Sequence, residues 1–212
     1  MKTVTVCETT YVLAPEQRYD ERTGAAIDKG SGQKIWECSL DLCRALHQID
    51  LSGISNVLEL GCGHGLPGIT CLKRSNAHVT FQDYISETID QITRPSVALN
   101  TVETDSRVYQ TSFIASSWSA FADQLKYDLI LCSEGIYSTE HFSALKQILG
   151  ESLTVNGMAL FAGKKYYFGC GGGTMEFSNF LGEDFECVTF EKIEDKKSNI
   201  REILMIRKRK ED

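Results

Sequence analysis

Long apolar runs, paired cysteines and an excess of basic residues are missing from this 212-residue chain and prolines are few, and each shortage narrows what it can be. No stretch approaches the roughly 20 apolar residues of a membrane-spanning helix, and the N-terminal MKTVTVCETT lacks the longer apolar core of a secretion signal. An intracellular protein with no membrane association is the expectation. Only three prolines occur, with no low-complexity tract and no fixed-period repeat, so nothing marks an internal domain boundary. The eight cysteines (Cys7, Cys38, Cys43, Cys62, Cys71, Cys132, Cys170 and Cys187) form no C-x-x-C pair. Several lie in apolar runs, where cysteine behaves as a small hydrophobe, so buried free thiols are expected and no metal. With 22 basic against 29 acidic residues and a formal charge of −7, the chain lacks the clustered Lys and Arg that coat nucleic acid. No direct nucleic-acid binding is expected. The one basic cluster, Arg207 to Lys210, reads as a solvated strand end, with an import signal as the alternative.

What remains is a composition of 42% hydrophobic and 24% charged residues, enough for one α/β domain that buries roughly 70% of its unfolded surface. Residues 1–33, rich in Thr, Gly and Asp, read as an irregular N-terminal arm, and residues 34–212 as the domain proper. Leu40, Cys43, Leu46 and Ile49 recur at helical spacing and predict an amphipathic helix from Trp36 to Gln48. Apolar runs at 56–60, 78–82, 107–110, 127–133 and 157–163 then alternate with helical patterns near 66–75, 85–99 and 139–153, as parallel βαβ units require. A further helix is expected at 174–181. The last two runs, FECVTFEKI and NIREILMIRKR, are separated only by the polar turn from Glu194 to Ser198, so they must pair antiparallel. The expected fold is a mostly parallel sheet closed by a C-terminal hairpin, a seven-stranded, Rossmann-like arrangement that an ordinary dinucleotide-binding domain lacks.

The first strand runs into Gly61-Cys62-Gly63-His64-Gly65 and then into a helix. Glycines there let the backbone turn sharply and approach a ligand, and the helix N-terminus offers free N–H groups. Gly63, Gly65 and Gly68 also spell G-x-G-x-x-G, with Asp83 at about the spacing of a ribose-binding acid, so a nicotinamide oxidoreductase is one reading. Glu59 argues otherwise, because a carboxylate two residues before the first glycine suits a ligand carrying an ammonium group and repels a pyrophosphate. Pro67 supplies a helix-compatible φ and starts the helix after Gly65. Asp83 is read as a ribose ligand before a helix cap, and His64 as the occupant of a variable loop position.

The segment VLELGCGHG resembles the glycine turn of class I methyltransferases. KIWECS (34–39), FQDY (81–84), RPSVALN (94–100), SSWSAF (116–121), YDLILCSEGIY (127–137) and KKYYFGCGGG (164–173) narrow the resemblance to eukaryotic protein-histidine methyltransferases that modify large-subunit ribosomal protein three. These belong to a wider group dominated by protein-lysine methyltransferases. The resemblance spans residues 33–206 and implies S-adenosyl-L-methionine as the cofactor and a large-subunit ribosomal protein as the substrate. It further implies a monomer acting in the cytoplasm, with the nucleus or nucleolus as further sites. By position, Trp36 and Glu37 lie beside the cofactor. Glu59, Gly61 and Gly63 hold its methionine part, Asp83 and Tyr84 its ribose and adenine edge, and Trp118 the adenine face. Ser133, Glu134 and Tyr137 align with an S-E-x-x-Y stretch where lysine methyltransferases have D-x-x-Y, and Ser133 counts with the cofactor side.

Chemistry separates the two acceptors. Deprotonating a lysine near pKa 10.4 at neutral pH costs roughly 4 kcal/mol, whereas an imidazole near 6.5 is already mostly neutral. A histidine acceptor needs only its tautomer fixed, by an acceptor group facing the second ring N–H. Glu134, Tyr137, Tyr166 and Tyr167 are the candidates, with Glu134, Tyr137 and Tyr166 as the catalytic set. The segment from Lys164 to Gly173 is expected to wall the acceptor side, its glycines admitting a peptide backbone, with Glu134 across the methyl from it. Lysine methylation, or a cofactor-binding assembly partner without turnover, stays open as the alternative.

Overall fold

NVLEL and YDLILCS, apolar almost without interruption, form the middle of a sheet that is covered on both faces. The computed structural model describes residues 2–15, 34–101, 108–194 and 199–210. In chain order its strands are β1 (Lys2–Val6), β2 (Thr9–Leu13), β3 (Asn56–Leu60), β4 (His78–Asp83), β5 (Thr111–Ala115), β6 (Tyr127–Ser133), β7 (Leu153–Lys164), β8 (Phe185–Ile193) and β9 (Arg201–Lys208). Helices are α1 (Glu37–Leu46), α2 (Leu66–Arg74), α3 (Ser86–Thr88), α4 (Arg94–Asn100), α5 (Phe142–Ser152) and α6 (Thr174–Leu181).

The main sheet runs β5-β4-β3-β6-β7-β9-β8, parallel up to β7, with β9 antiparallel to both β7 and β8. The seven-stranded order and the closing hairpin are those expected. From β3 the chain moves outward through β4 and β5, then returns to lay β6 on the other side of β3. The order therefore reverses between β3 and β6, and the carboxyl ends of these strands open the crevice where α/β sheets bind ligands. Side chains alternate across the sheet. Val57, Leu129 and Leu131 join α1 and α2 on one face, while Leu58, Leu60, Ile130 and Cys132 join α5 and α6 on the other.

Two expectations change. Residues 2–13 are a β-hairpin, not an irregular arm, and Cys7 and Glu8 turn it with φ of 46° and 66°. Neither residue type announces such a turn, which usually carries Asn or Gly. Val6, Tyr11 and Leu13 are buried in the core beside α1 and α2, and the Tyr11 hydroxyl meets Thr70 Oγ1 at 2.8 Å. Residues 16–33 of the expected arm, and residues 195–198 of the expected final turn, lie outside the described residues. The strand expected at 107–110 is instead Thr111–Ala115. Val108 is exposed, and the true strand is an only half-buried sheet edge whose pattern is weak. Arg107 lies outside the described residues.

Between α3 and α4 the helix widens into a π turn, Ile89–Thr93, just before Pro95. Proline has no N–H for the regular helical bond, and the ring crowds the preceding turn. The widened turn places Thr93 so that its hydroxyl donates to the Gly63 carbonyl at 2.6 Å. At the other end of α4, the Asn100 amide donates to Val12 O at 2.7 Å and accepts from Val12 N at 3.0 Å, pairing with the hairpin as another strand would.

Asn100→Ala removes both partners of a largely buried peptide unit. Denaturant unfolding should show a loss of about 1–3 kcal/mol. An unchanged midpoint would mean that the hairpin is held by its apolar contacts alone.

Candidate active site

Five strand ends supply the crevice. Past β3, Gly61, Gly63 and Gly65 adopt φ of 60°, 49° and 71°, the left-handed region that side chains resist. Gly65 caps α2, and Pro67 in its first turn matches the expected start. Glu59 is 1% exposed, and its Oε2 accepts the Gly68 N–H at 2.8 Å. A Cβ on Gly68 would stand 2.7 Å from that oxygen, so the residue must be glycine. Oε1 is buried without a hydrogen-bond partner among the described residues. Burial pushes the Glu59 carboxyl up to about 8, against the pull of the Gly68 N–H and with a further push from Asp83.

Asp83 closes the cradle from β4. Its Oδ2 accepts from Gly63 N at 3.1 Å and its Oδ1 from Ile85 N at 3.2 Å, so it ties the glycine turn to the next loop. Burial raises its pKa against these bonds. Tyr84 follows, 65% exposed. His64 is not a loose loop residue: it is buried, with Nδ1 3.2 Å from Ser96 Oγ.

Trp118 stands in the short 3₁₀ turn Trp118–Ala120 after β5, held by a residue that the sequence reading did not single out. Gln82, fully buried at the end of β4, accepts from Trp118 Nε1 at 2.8 Å and from Gly61 N at 3.2 Å, and donates to Ser116 O at 2.6 Å. The indole is thereby fixed over the switch point. An added Cβ would meet it at 3.4 Å on Gly61 and at 3.1 Å on Gly135. Its ring also meets His141 edge-on, with centroids 5.2 Å apart.

The acceptor side departs from expectation. Glu134, just after β6, takes a left-handed φ of 58° and donates its N–H to Ala162 O at 2.9 Å. Its carboxylate turns inward. Oε2 accepts the Tyr167 hydroxyl at 2.5 Å, and Oε1 is buried near the thiol of Cys38 on α1. Burial first, and then the Glu134 charge, raise both the phenol and the thiol far above their ordinary range, so both remain protonated beside the carboxylate. Glu134 therefore does not sit across a crevice from the 164–173 segment but is bonded to it. Tyr166, expected in the catalytic set, points elsewhere: its hydroxyl meets Met175 Sδ on α6 at 3.4 Å. Ser133 ends β6 half-buried, opposite Ala162. Trp36 begins α1 with Lys34 Nζ 4.1 Å above its ring, two residues before Cys38.

Residues 164–173 form a fixed wall. Gly172 N donates to Tyr137 O at 3.1 Å and Gly173 N to Ile136 O at 3.0 Å, while Tyr167 N reaches Gly172 O at 3.1 Å. Added Cβ atoms would stand 2.3 Å from Ile136 O at Gly172 and 2.2 Å from Lys165 O at Gly173. Gly172 and Gly173 thus let one loop lie against another, whereas a Cβ at Gly169 or Gly171 would meet nothing within 4 Å, so of the glycines expected to make room for a peptide two face open space and two serve loop packing. Tyr137 is half-exposed on this wall, and its hydroxyl lies 3.0 Å from His141 Nε2, with burial holding the phenol above its ordinary pKa. His141, in the 3₁₀ turn Thr139–His141, was not singled out in the sequence because it falls in a stretch that reads only as a helix start.

Glu59 gives the cradle a test. A cationic ligand group beside it would restore its ionised form, so binding at pH 7 should release up to about one proton, from a carboxyl otherwise roughly 90% protonated. Affinity should rise with pH up to about 8, where an α-amino group itself begins to titrate. Calorimetry of S-adenosylmethionine in two buffers of different ionisation enthalpy reads the release, and Glu59→Gln should abolish it. Equal heats in both buffers would remove Glu59 from the ligand's charged end.

A family model described as "Lysine methyltransferase" matches residues 21–169. The chain is 41% identical over 183 residues to "Histidine protein methyltransferase 1 homolog" of Dictyostelium discoideum, covering 82% of this chain and 57% of that one. The homologue of the same name from Bos taurus is 36% identical over 195 residues, covering 77% and 52%. The chain thus spans about half the length of the curated relatives it matches. Among solved structures, the N-methyltransferase NodS from Bradyrhizobium japonicum WM9, in complex with S-adenosyl-l-homocysteine, superposes with a TM-score of 0.63 at 18% identity, over 80% of this chain and 87% of that one. S-adenosylmethionine is the methyl donor that this membership implies, and an orphaned buried carboxylate oxygen above a left-handed glycine turn fits it. The chain belongs to the lysine methyltransferase family of class I methyltransferases.

Proposed function

We propose that this protein transfers a methyl group from S-adenosylmethionine to a histidine side chain of a large-subunit ribosomal protein. The names of the curated relatives support a histidine acceptor. The observation that carries the reading is the inward turn of Glu134: one oxygen of the acid of the S-E-x-x-Y stretch is bonded to the Tyr167 hydroxyl and the other is buried, so the acid is turned toward the wall segment. Near it stands a half-exposed hydrogen-bonding group, the Tyr137 hydroxyl linked to His141. A neutral imidazole suits such a surface, and a lysine would first have to shed a proton at a cost of roughly 4 kcal/mol.

The donor supplies an activated sulfonium methyl when bound. Glu59, Gly61, Gly63 and Asp83 would hold it, with Trp118 fixed by Gln82 over the crevice. On the acceptor side, Tyr137 Oη accepts the second ring N–H of the incoming imidazole and so selects the tautomer whose reactive nitrogen bears a lone pair. His141 Nε2 orients that hydroxyl. The 164–173 wall limits how the acceptor approaches, which brings the reacting atoms to near-attack distance.

Incubation with labelled methyl donor and purified large-subunit ribosomal proteins, followed by residue-level mass spectrometry, should place 14 Da on a histidine. Label on lysine alone would overturn the reading. Tyr137→Phe should lower kcat by about 10- to 100-fold, the loss of one directing hydrogen bond, with cofactor affinity little changed.

A further inference from the structure

One aromatic side chain beside the site stands almost fully exposed among the described residues. In the run Tyr166-Tyr167-Phe168, Tyr167 turns in to Glu134 and Tyr166 lies along α6 against Met175, while Phe168 stands 89% exposed. A single exposed apolar residue needs no explanation where the chain is free to fold it away. Here the chain is not free. Cys170 N and Gly171 N both donate to Tyr167 O, Gly172 N and Gly173 N are bonded to the Tyr137 and Ile136 carbonyls, and the Tyr167 hydroxyl is anchored in the interior. Every backbone N–H from Cys170 to Gly173 is thus engaged, and the segment holds the phenyl ring outward. On its C-terminal flank, Gly169 and Gly171 take φ of 81° and 77°, and a Cβ at either would have nothing within 4 Å, so the approach to the ring is clear.

We infer that Phe168 is a docking anchor for the acceptor protein, inserting into an apolar recess of that protein while the acceptor histidine enters the crevice beside Tyr137. The inference rests on the reading that the acceptor is a protein. A rigid ring with only two side-chain torsions loses little conformational freedom on binding, which is why aromatic anchors dominate protein interfaces. The loop that carries the ring lies directly against the Tyr137 segment, with Gly172 N bonded to Tyr137 O and Gly171 bridged to Ser138, so the ring is presented beside the residue proposed to meet the acceptor. Phe168 contacts the acceptor equally in the ground state and the transition state, and its loss should therefore appear in KM and not in kcat.

The test is Phe168→Ala, with Phe168→Leu as the conservative partner, on purified large-subunit ribosomal protein three. The alanine variant should raise KM about tenfold or more, with kcat at saturation, calorimetric affinity for S-adenosylmethionine and Tm at wild-type values, and leucine should recover most of the loss. Equilibrium binding of the same acceptor to surface-attached enzyme should weaken in parallel, which reads the anchor without turnover. Wild-type KM and acceptor binding in the alanine variant would overturn the inference. So would a lowered Tm with unchanged KM, which would mean that the chain itself covers the ring, or a wild-type dimer that the variant dissolves, which would assign the ring to a second copy. The functional reading fails separately, when the wild-type enzyme itself labels no histidine.

Discussion

A part-buried hydrogen bond from the Tyr167 hydroxyl to Glu134 Oε2 joins the two loops on which the proposed acceptor side depends. Glu134 follows β6 and Tyr167 follows β7, so the bond links adjacent strand ends across the mouth of the crevice. Burial and the Glu134 charge keep Tyr167 a phenol, so its hydroxyl donates to the carboxylate. Around that bond lie the left-handed backbone at Glu134, Gly172 and Gly173 bonded along Ile136 and Tyr137, and the exposed Phe168 ring. An acidic residue at the edge of an active site invites a direct chemical role. In the proposed reading its bond to Tyr167 makes it a positioning residue.

The cofactor side is organised by comparable indirect means. Gln82 binds the glycine turn and the indole of Trp118 through one carbonyl oxygen, so the floor and one wall of the crevice move together. Thr93 reaches the same turn from below only because Pro95 forces a π turn in the helix that carries it. α1 reaches the acceptor side twice. Cys38 abuts Glu134, and Asp41 Oδ2 pairs at 2.6 Å with buried Arg201 at the start of β9. The two halves of the site therefore share supports, which ties acceptor geometry to the packing of the N-terminal part of the domain.

The sheet and the cradle were legible because their chemistry restricts residue type. Parallel central strands must be apolar on both faces, and a turn with successive positive φ values needs Gly61, Gly63 and Gly65. Glu59 and Asp83 stood out as acids in otherwise apolar strands. The acceptor side was less legible, since which of two neighbouring tyrosines faces inward depends on the path of an irregular loop, and Tyr167 takes the place expected of Tyr166. Gln82 and His141 carried no local signal, because a polar side chain at a strand end gains meaning only from what other loops bring to it. The hairpin was hidden by its turn, where Cys7 and Glu8 occupy a conformation that sequence patterns assign to Asn or Gly.

The claim that Glu134 acts through Tyr167 is tested most directly by a double-mutant cycle on methyl transfer with Glu134→Gln and Tyr167→Phe. If the pair works as one clamp, either change alone should weaken turnover and the double variant should be no worse than the poorer single, a coupling on the order of 1–3 kcal/mol. Losses that multiply independently would mean that Glu134 acts on the acceptor without Tyr167, and would contradict this account of the site.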